Sequence, residues 1–327
     1  MPDPESVVRP PSLRERIEYL GLAGASQLAA RMPRGFFGPL SRVIGSFVYH
    51  VDARGRAVSL DNLRCAFGDT MSPARRSRVA RASYATFAKT MMELFWRGTS
   101  DRAVTSRLVE VTGNTEADGD PHRAAIYPTM HFSNYEWVGL LGRYLRGPMP
   151  LVAQQFRNPL LGPIFEAARR VTGQQVIPRE RAMLRMLKHL RKGGAFGMLC
   201  DLSLDPKLGS VAITQFGGLV TSITQMHAAL AARSGARLVP VEMRPLPGDR
   251  YRMTFHPEVP CSPEIPAAQV VQQTWNTLER TIHEHPECWI WCYKHWRFRP
   301  SGVDPEKYPF YANTAPRFDR ICERDLP

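Results

Sequence analysis

The sequence contains no uninterrupted apolar run of the ~18 residues or more that a membrane-spanning helix needs. The nearest candidate, residues 36–51, is interrupted by Pro39 and Arg42. This stretch predicts either a helix in a membrane interface or a buried amphipathic helix. No secretory signal precedes the 6 cysteines, which are scattered along 327 residues, so we expect a reducing compartment.

Several motifs that would indicate other chemistry are also missing. Gly193-Gly194-x2-Gly197 ends a predicted helix, whereas a nucleotide-binding glycine loop opens one. No G-x-S-x-G nucleophile elbow occurs. One cluster invites a zinc interpretation, but its spacing fits no common site, and Trp289 and Trp291 interleave it like a core strand: His283, His285, Cys288, Cys292 and His295. We therefore expect no metal and no cofactor.

The chain is strongly basic, with 43 Lys+Arg against 30 Asp+Glu and a net charge of +13. This balance favours an anionic partner such as a membrane surface, an acidic protein, a phosphorylated substrate or nucleic acid. No nucleic-acid-binding module accompanies the charge, so we expect no nucleic-acid partner.

The pattern of apolar residues divides the chain into three parts. Residues 1–106 read as helices, including one that opens at the capping box Ser12-x-x-Glu15 and one that opens at Ser72-Pro73. Residues 107–300 alternate strands and helices, with a helix predicted over 221–234 and a hairpin turn at Gly248-Asp249. Residues 301–327 form a Pro-rich, mostly irregular tail. The predicted fold is α/β: a mixed, mostly parallel sheet flanked by helices, with an N-terminal helical region.

The central stretch is 124–137, AAIYPTMHFSNYEW, where an apolar strand breaks into His131 and a helical pattern follows. His131 and Glu136 are five residues apart, which on a regular helix separates their side chains by ~140°. The two side chains can meet only if His131 precedes the first turn of the helix that follows it. An alternative reading makes Ser133-x-x-Glu136 a capping box, with Glu136 a structural cap and His131 a bystander.

HFSNYEW resembles the H-x4-D/E block of the glycerolipid and lysophospholipid acyltransferase superfamily, and most closely the bacterial lipid A lauroyl/myristoyl acyltransferase family. Further blocks that resemble this family follow in its order over roughly 18–310: Arg157-Asn158-Pro159-Leu160, Arg169-x3-Gly173, Ile177-Pro178-Arg179, Met198-Leu199-Cys200-Asp201, Phe216-Gly217, Leu238-Val239-Pro240-Val241 and Trp289-x-Trp291-x3-His295-Trp296-Arg297-Phe298. Upstream of these blocks, Asn62-Leu63 and Glu93 also resemble the family pattern. Two positions depart from the family: Ser133 replaces a glycine, and Leu202 replaces the glutamine after Asp201.

The resemblance implies transfer of a fatty acyl chain from acyl carrier protein or acyl-CoA to a hydroxyl of a membrane glycolipid, such as a lipid A precursor. His131 would be the general base, oriented by Glu136. Substrate-binding roles are implied for Asn134, Arg157, Arg169, Arg179 and Asp201. Arg170, next to Arg169, is the alternative candidate for the arginine of the family pattern. For Arg179, solvation of a helix end is the alternative to binding a phosphate, and for Asp201 the alternative is an Asx turn.

The expected location is the cytoplasmic face of the inner membrane, with peripheral or monotopic attachment through the apolar parts of 17–51. Three alternatives remain at this stage: a lysophospholipid or other phosphoglycolipid acyltransferase, a membrane- or lipid-binding protein without catalytic activity, and a basic nucleic-acid binder.

Overall fold

The computed structural model describes residues 10–113, 123–147, 149–152, 156–171, 173–177 and 181–326. Five helices precede the first strand: α1 (Leu13–Arg31), α2 (Phe37–Val51), α3 (Ala53–Phe67), α4 (Pro73–Phe95) and α5 (Arg102–Leu108). The later helices are α6 (Tyr135–Arg146), α7 (Gly162–Val171), α8 (Ala182–Leu190), α9 (Met226–Ser234), α10 (Ala267–Glu284) and α11 (Pro316–Asp325). The strands are β1 (Val109–Gly113), β2 (Ala125–Thr129), β3 (Pro150–Val152), β4 (Gln175–Ile177), β5 (Ala195–Leu199), β6 (Ser210–Gln215), β7 (Leu219–Thr224), β8 (Arg237–Leu238), β9 (Val241–Leu246) and β10 (Arg250–Phe255).

The described strands pair in small sheets, and four of the six strand pairings are parallel. β2 lies between β5 and β8 and is parallel to both, while β3 pairs in parallel with β4 and lies beside β5. β1 is parallel to β10, and β9 and β10 form the antiparallel hairpin expected at Gly248-Asp249, where both residues have positive φ. The expected mixed α/β layout is therefore confirmed.

The N-terminal helices begin where their caps predict. The Ser12 and Glu15 side chains exchange hydrogen bonds with each other's backbone at the start of α1, and the Ser72 hydroxyl accepts a bond from the Arg75 amide at the start of α4. α2 packs closely on α4 because Gly45 has no side chain: a Cβ there would lie 2.4 Å from the Ala85 Cα. No helix among the described residues has the length and apolarity to cross a membrane.

The hairpin of β6 and β7 was not predicted from the sequence, and the helix expected over 221–234 is wrong at its start. Thr221 to Thr224 belong to β7, and α9 begins only at Met226. The Phe216-Gly217 pair forms the hairpin turn, with φ of 45° and 72°. β7 is buried at most of its positions.

Two expectations about the C-terminal part are also wrong. The tail contains the ten-residue helix α11, whose Phe318 and Ile321 pack on Ala212 of β6. The Trp-rich segment is not a core strand: it is a 3-10 turn over Pro286–Cys288 followed by turns, with Trp289 bridging Phe132. Its tryptophans nevertheless lie in the core, since Trp289, Trp291 and Trp296 are all buried.

Candidate active site

The site is built at the carboxyl end of β2, where the chain leaves the buried strand and has not yet entered α6. Successive strand–helix–strand units run from β2 to β5, so the carboxyl ends of these strands meet at one edge, where α/β folds place their ligands. His131 leaves the end of β2 and Asp201 the end of β5. As the spacing argument required, His131 precedes the first turn of α6.

The partner of the His131 ring is Asp201. The Nδ1 atom of His131 lies 2.8 Å from Oδ1 of Asp201, and the His131 backbone amide donates to Oδ2 over 2.9 Å. An ionised carboxylate only accepts hydrogen bonds, so Nδ1 carries the proton and Nε2 keeps its lone pair. No described residue bonds to Nε2, and the side chain is 16% exposed.

Trp289 completes the support of Asp201. Its indole Nε1 donates to Oδ2 over 2.9 Å, so three donors converge on a carboxylate that is wholly buried. Burial alone would raise the pKa of Asp201, but attraction to His131 and the bonds from His131 and Trp289 outweigh it and lower that pKa. Asp201 therefore stays ionised and can stabilise a charged imidazole.

The His295 ring stacks on Trp289 with 3.9 Å between ring centroids. Burial lowers the pKa of His295 to about 4, so this ring is neutral at physiological pH. The other members of the zinc-like cluster engage separate partners, such as Glu279 for His283 and Glu287 for His285.

Glu136 has a different partner from the one the resemblance implied. Its carboxylate accepts two bonds from Arg169, at 2.8 Å from Nη2 and 3.3 Å from Nε. This bidentate pair joins the first turn of α6 to the last turn of α7. Arg169 is thus separated from Arg170, which is exposed and pairs with Glu166 on the helix surface.

The capping-box alternative is not realised. The Ser133 amide donates to the carbonyl of Cys288, and the cap of α6 is Asn134, whose Oδ1 accepts from the Trp137 amide. The carboxamide of Asn134 also donates to Glu93 over 2.5 Å. Asn134 is fully buried, and its side chain contacts the start of α6 and Glu93.

Helix α4 contacts the segment between β2 and α6 through Thr90 and Glu93, two residues that the sequence did not place in the site. The Thr90 hydroxyl donates to the carbonyl of Ser133, and Glu93 accepts from both Asn134 and the Tyr251 hydroxyl. Arg34 pairs with the other oxygen of Glu93 at 2.7 Å. The order of family-like blocks had included Glu93, but nothing in the spacing linked it to this corner.

A small cavity of about 60 Å³ lies beside the corner. Its wall is mostly apolar, with one charged pair: Tyr135, Glu136, Val138, Met149, Arg169 and Met198. The Glu136–Arg169 pair therefore forms part of the wall of this space.

Of the remaining predicted residues, the structure describes Arg157, which has no contact with His131. Arg157 is exposed in the turn before α7, next to the buried Asn158 that donates to the Glu15 carbonyl of α1. Arg179 lies outside the described residues. The structure thus joins His131 with Asp201 and Glu136 with Arg169.

The chain matches the model of the family described as bacterial lipid A biosynthesis acyltransferase over residues 9–298. It is also similar to the lipid A biosynthesis lauroyltransferase of Escherichia coli (strain K12), with 26% identity over 302 residues, 89% of this chain and 94% of the relative. The matched region includes His131, the acidic residues Glu136 and Asp201, and the Trp-rich segment. This chain therefore belongs to the bacterial lipid A biosynthesis acyltransferases and is an acyltransferase enzyme.

Proposed function

We propose that this enzyme moves a fatty acyl chain from a thioester donor to a hydroxyl of a lipid A precursor, with His131 as general base and Asp201 as the residue that orients it. The observation that carries the proposal is the contact of Nδ1 with Asp201, which leaves Nε2 as an acceptor at the edge where the strands end. Family membership supplies the reaction class.

The reaction balances with these groups alone. Nε2 removes the proton from the acceptor hydroxyl while that oxygen attacks the thioester carbonyl, and the carbonyl oxygen becomes an oxyanion. When the oxyanion collapses, the carbon–sulfur bond breaks, an ester remains, and the thiolate takes the proton from the imidazolium. Asp201 stabilises the imidazolium between the two steps, and no acyl-enzyme forms.

Glu136 has the role of positioning Arg169 in this mechanism. The pair places a guanidinium in the wall of the cavity beside the corner. A fixed cation there would stabilise the oxyanion or the anionic part of the donor, because a preorganised charge costs no reorganisation during the reaction.

The donor and the acceptor follow from charge and from similarity. The donor is acyl carrier protein, which is acidic and suits a chain of net charge +13; acyl-CoA, also anionic, is the second candidate. The acceptor is a lipid A precursor because the E. coli relative carries the name lauroyltransferase of lipid A biosynthesis. A lysophospholipid is the alternative acceptor.

Peripheral attachment at the cytoplasmic face of the inner membrane belongs to the same proposal. One side of α2 packs on α4, and its other side exposes Val43, Phe47 and Val51 by 66%, 66% and 61%. Arg42, Arg78 and Arg81 line the groove next to this apolar stripe. Exposed apolar residues bordered by cations suit the headgroup region of an anionic bilayer.

The experiment is acyl transfer by His131→Ala, measured with acylated carrier protein and a lipid A precursor and followed by mass spectrometry of the product. Loss of general-base catalysis predicts a rate about 10²–10⁴-fold lower with unchanged thermal unfolding. His283→Ala, the same substitution at an exposed histidine of α10, is the matched control and keeps normal transfer. Near-normal transfer by His131→Ala would contradict the mechanism and favour a lipid-binding protein.

A further inference from the structure

Helix α8 presents a cationic face that the catalytic chemistry does not use. We use the name α8 cationic face for the basic residues of α8 and of the positions directly before and after it: Arg181, Arg185, Lys188, Arg191 and Lys192. All five are exposed, and no described residue forms an ion pair with any of them. They recur at helical spacing, so most of them form one stripe about 15 Å long.

This face differs from an ordinary solvated helix surface. Exposed arginines of α1 and α7 form ion pairs within their own helix, as in Arg14–Glu18 and Arg170–Glu166. The sequence of α8, AMLRMLKHL, contains no acidic residue. Unpaired like charges on one stripe repel each other, and a complementary acidic surface relieves that repulsion.

One exposed apolar side chain borders the cationic stripe. Leu184 is 48% exposed and lies four residues before Lys188, whereas Met186, Leu187 and Leu190 are buried in the core. The buried side fixes the helix, so the exposed side is a preformed surface. A few apolar contacts within a ring of charges are typical of a protein interface.

The start of α8 lies at the edge of the sheet that carries the active site. Ile177 ends β4, and α8 begins five residues later at Ala182. β3 lies between β4 and β5, and Asp201 follows β5, so about two strand spacings of ~4.8 Å separate the two strand ends. A partner bound along α8 would therefore reach the edge that carries His131 at the first turn of the helix.

We propose that the α8 cationic face is the docking surface for the acidic carrier protein that delivers the acyl thioester, a proposal that rests on the proposed function. An acidic helix laid along α8 would pair with the cationic stripe while one of its apolar residues covers Leu184. The stripe is mainly ionic and has one exposed apolar residue beside it, which fits a protein better than a bilayer.

The C-terminal helix α11 provides the matched comparison. Arg317 and Arg320 are exposed and three residues apart, like Arg185 and Lys188, and neither has an ion-pair partner among the described residues. α11 packs against β6, while α8 packs against α9. Equal charge reversals on the two helices therefore change net charge identically at different places on the surface.

The experiment compares Arg185→Glu/Lys188→Glu with Arg317→Glu/Arg320→Glu in the enzyme. The KM for acylated carrier protein rises by about tenfold or more in the α8 variant and less than about twofold in the α11 variant, because each charge reversal turns an attraction into a repulsion. The KM for acyl-CoA changes less than about twofold in both. Binding of deacylated carrier protein, measured by fluorescence anisotropy, weakens in the α8 variant and strengthens as salt is lowered.

Each other outcome overturns the docking surface. Equal losses in both variants would indicate attraction by net charge, and a parallel loss with acyl-CoA would indicate binding of the small donor's phosphates. Loss of binding to vesicles of phosphatidylglycerol with unchanged carrier binding would make α8 a membrane surface. If the unaltered enzyme uses neither donor, the proposed function fails, while the anisotropy measurement still decides the docking surface.

Discussion

The Nδ1 atom of His131 lies 2.8 Å from a carboxylate oxygen of Asp201, a residue 70 positions further along the chain. Glu136, only five positions away, is bound to Arg169 instead. The two acidic residues of the site therefore have separate partners: Asp201 binds the His131 ring, and Glu136 binds a nearby cation. This division distinguishes the structure from the assignment that the local H-x4-E spacing implied.

Asp201→Asn tests the first half of this division. An amide offers one oxygen for three donors, so its NH2 group must face either His131 Nδ1 or the pair formed by the His131 amide and the Trp289 indole. The imidazole then favours the tautomer protonated at Nε2, which cannot accept a proton. We expect kcat to fall about 10²–10⁴-fold with little change in KM, measured by steady-state acyl transfer.

Glu136→Gln is the comparison for that experiment. It removes the same type of charge from the same corner but leaves the His131–Asp201 contact intact. A larger loss in Glu136→Gln than in Asp201→Asn would show that Glu136, not Asp201, acts on the base.

The pair of Glu136 and Arg169 predicts strong non-additivity. Both side chains are largely buried, with exposure of 7% for Glu136 and 15% for Arg169, so removing either one leaves the other buried charge without this bidentate contact. We expect Glu136→Ala and Arg169→Ala each to lower the free energy of unfolding by about 2–4 kcal/mol, and the double variant to lose much less than the sum. Urea denaturation measures all three. Additive losses would mean that the two residues act independently.

Arg170→Ala is the matched control, because it removes the adjacent arginine and its own ion pair. That pair is exposed, with 70% and 40% of the two side chains accessible. Its loss should change the free energy of unfolding by less than about 0.5 kcal/mol.

Much of the fold follows from local patterns in the sequence. The caps at Ser12 and Ser72, the buried run of β2 and the Gly248-Asp249 turn each specify a nearby element through contacts within a few residues. The β6–β7 hairpin was missed because Thr221 to Thr224 join continuously to a helix, so no break marks the boundary.

The site was predictable only in part, since its decisive contacts are long-range. The break after Met130 correctly placed His131 before α6, but periodicity within 131–136 carries no information about Asp201 or Trp289. Their meeting depends on β2 and β5 being neighbours in the sheet and on Trp289 bridging Phe132. The similarity of the separate blocks to one family named these residues without specifying which of them touch.

The membrane proposal makes a prediction for α2. Phe47→Asp in combination with Val43→Asp places two charges on the exposed apolar stripe without touching the side that packs on α4. We expect binding to vesicles of phosphatidylglycerol to weaken about tenfold or more, measured by co-sedimentation, while transfer to a detergent-dispersed acceptor is unchanged. The same two substitutions at Met183 and Leu184 of α8 are the control and should leave vesicle binding intact. Unchanged vesicle binding in the α2 variant would exclude this stripe as the attachment surface.

The last prediction concerns the backbone of the corner. Ser133 has φ of 48°, a left-handed conformation that costs a non-glycine residue about 1 kcal/mol, and the family pattern has glycine here. Ser133→Gly relieves this strain but makes the unfolded chain more flexible, which offsets about 0.4–1 kcal/mol of the gain. The free energy of unfolding should therefore change by less than about 1 kcal/mol, with His131 still active. Ser133→Val, which adds a branched side chain to a left-handed residue, should lower it by at least about 1–3 kcal/mol. Urea denaturation of both variants decides the matter: an equal loss in the two would mean that the Ser133 hydroxyl, and not its backbone angle, matters at this position.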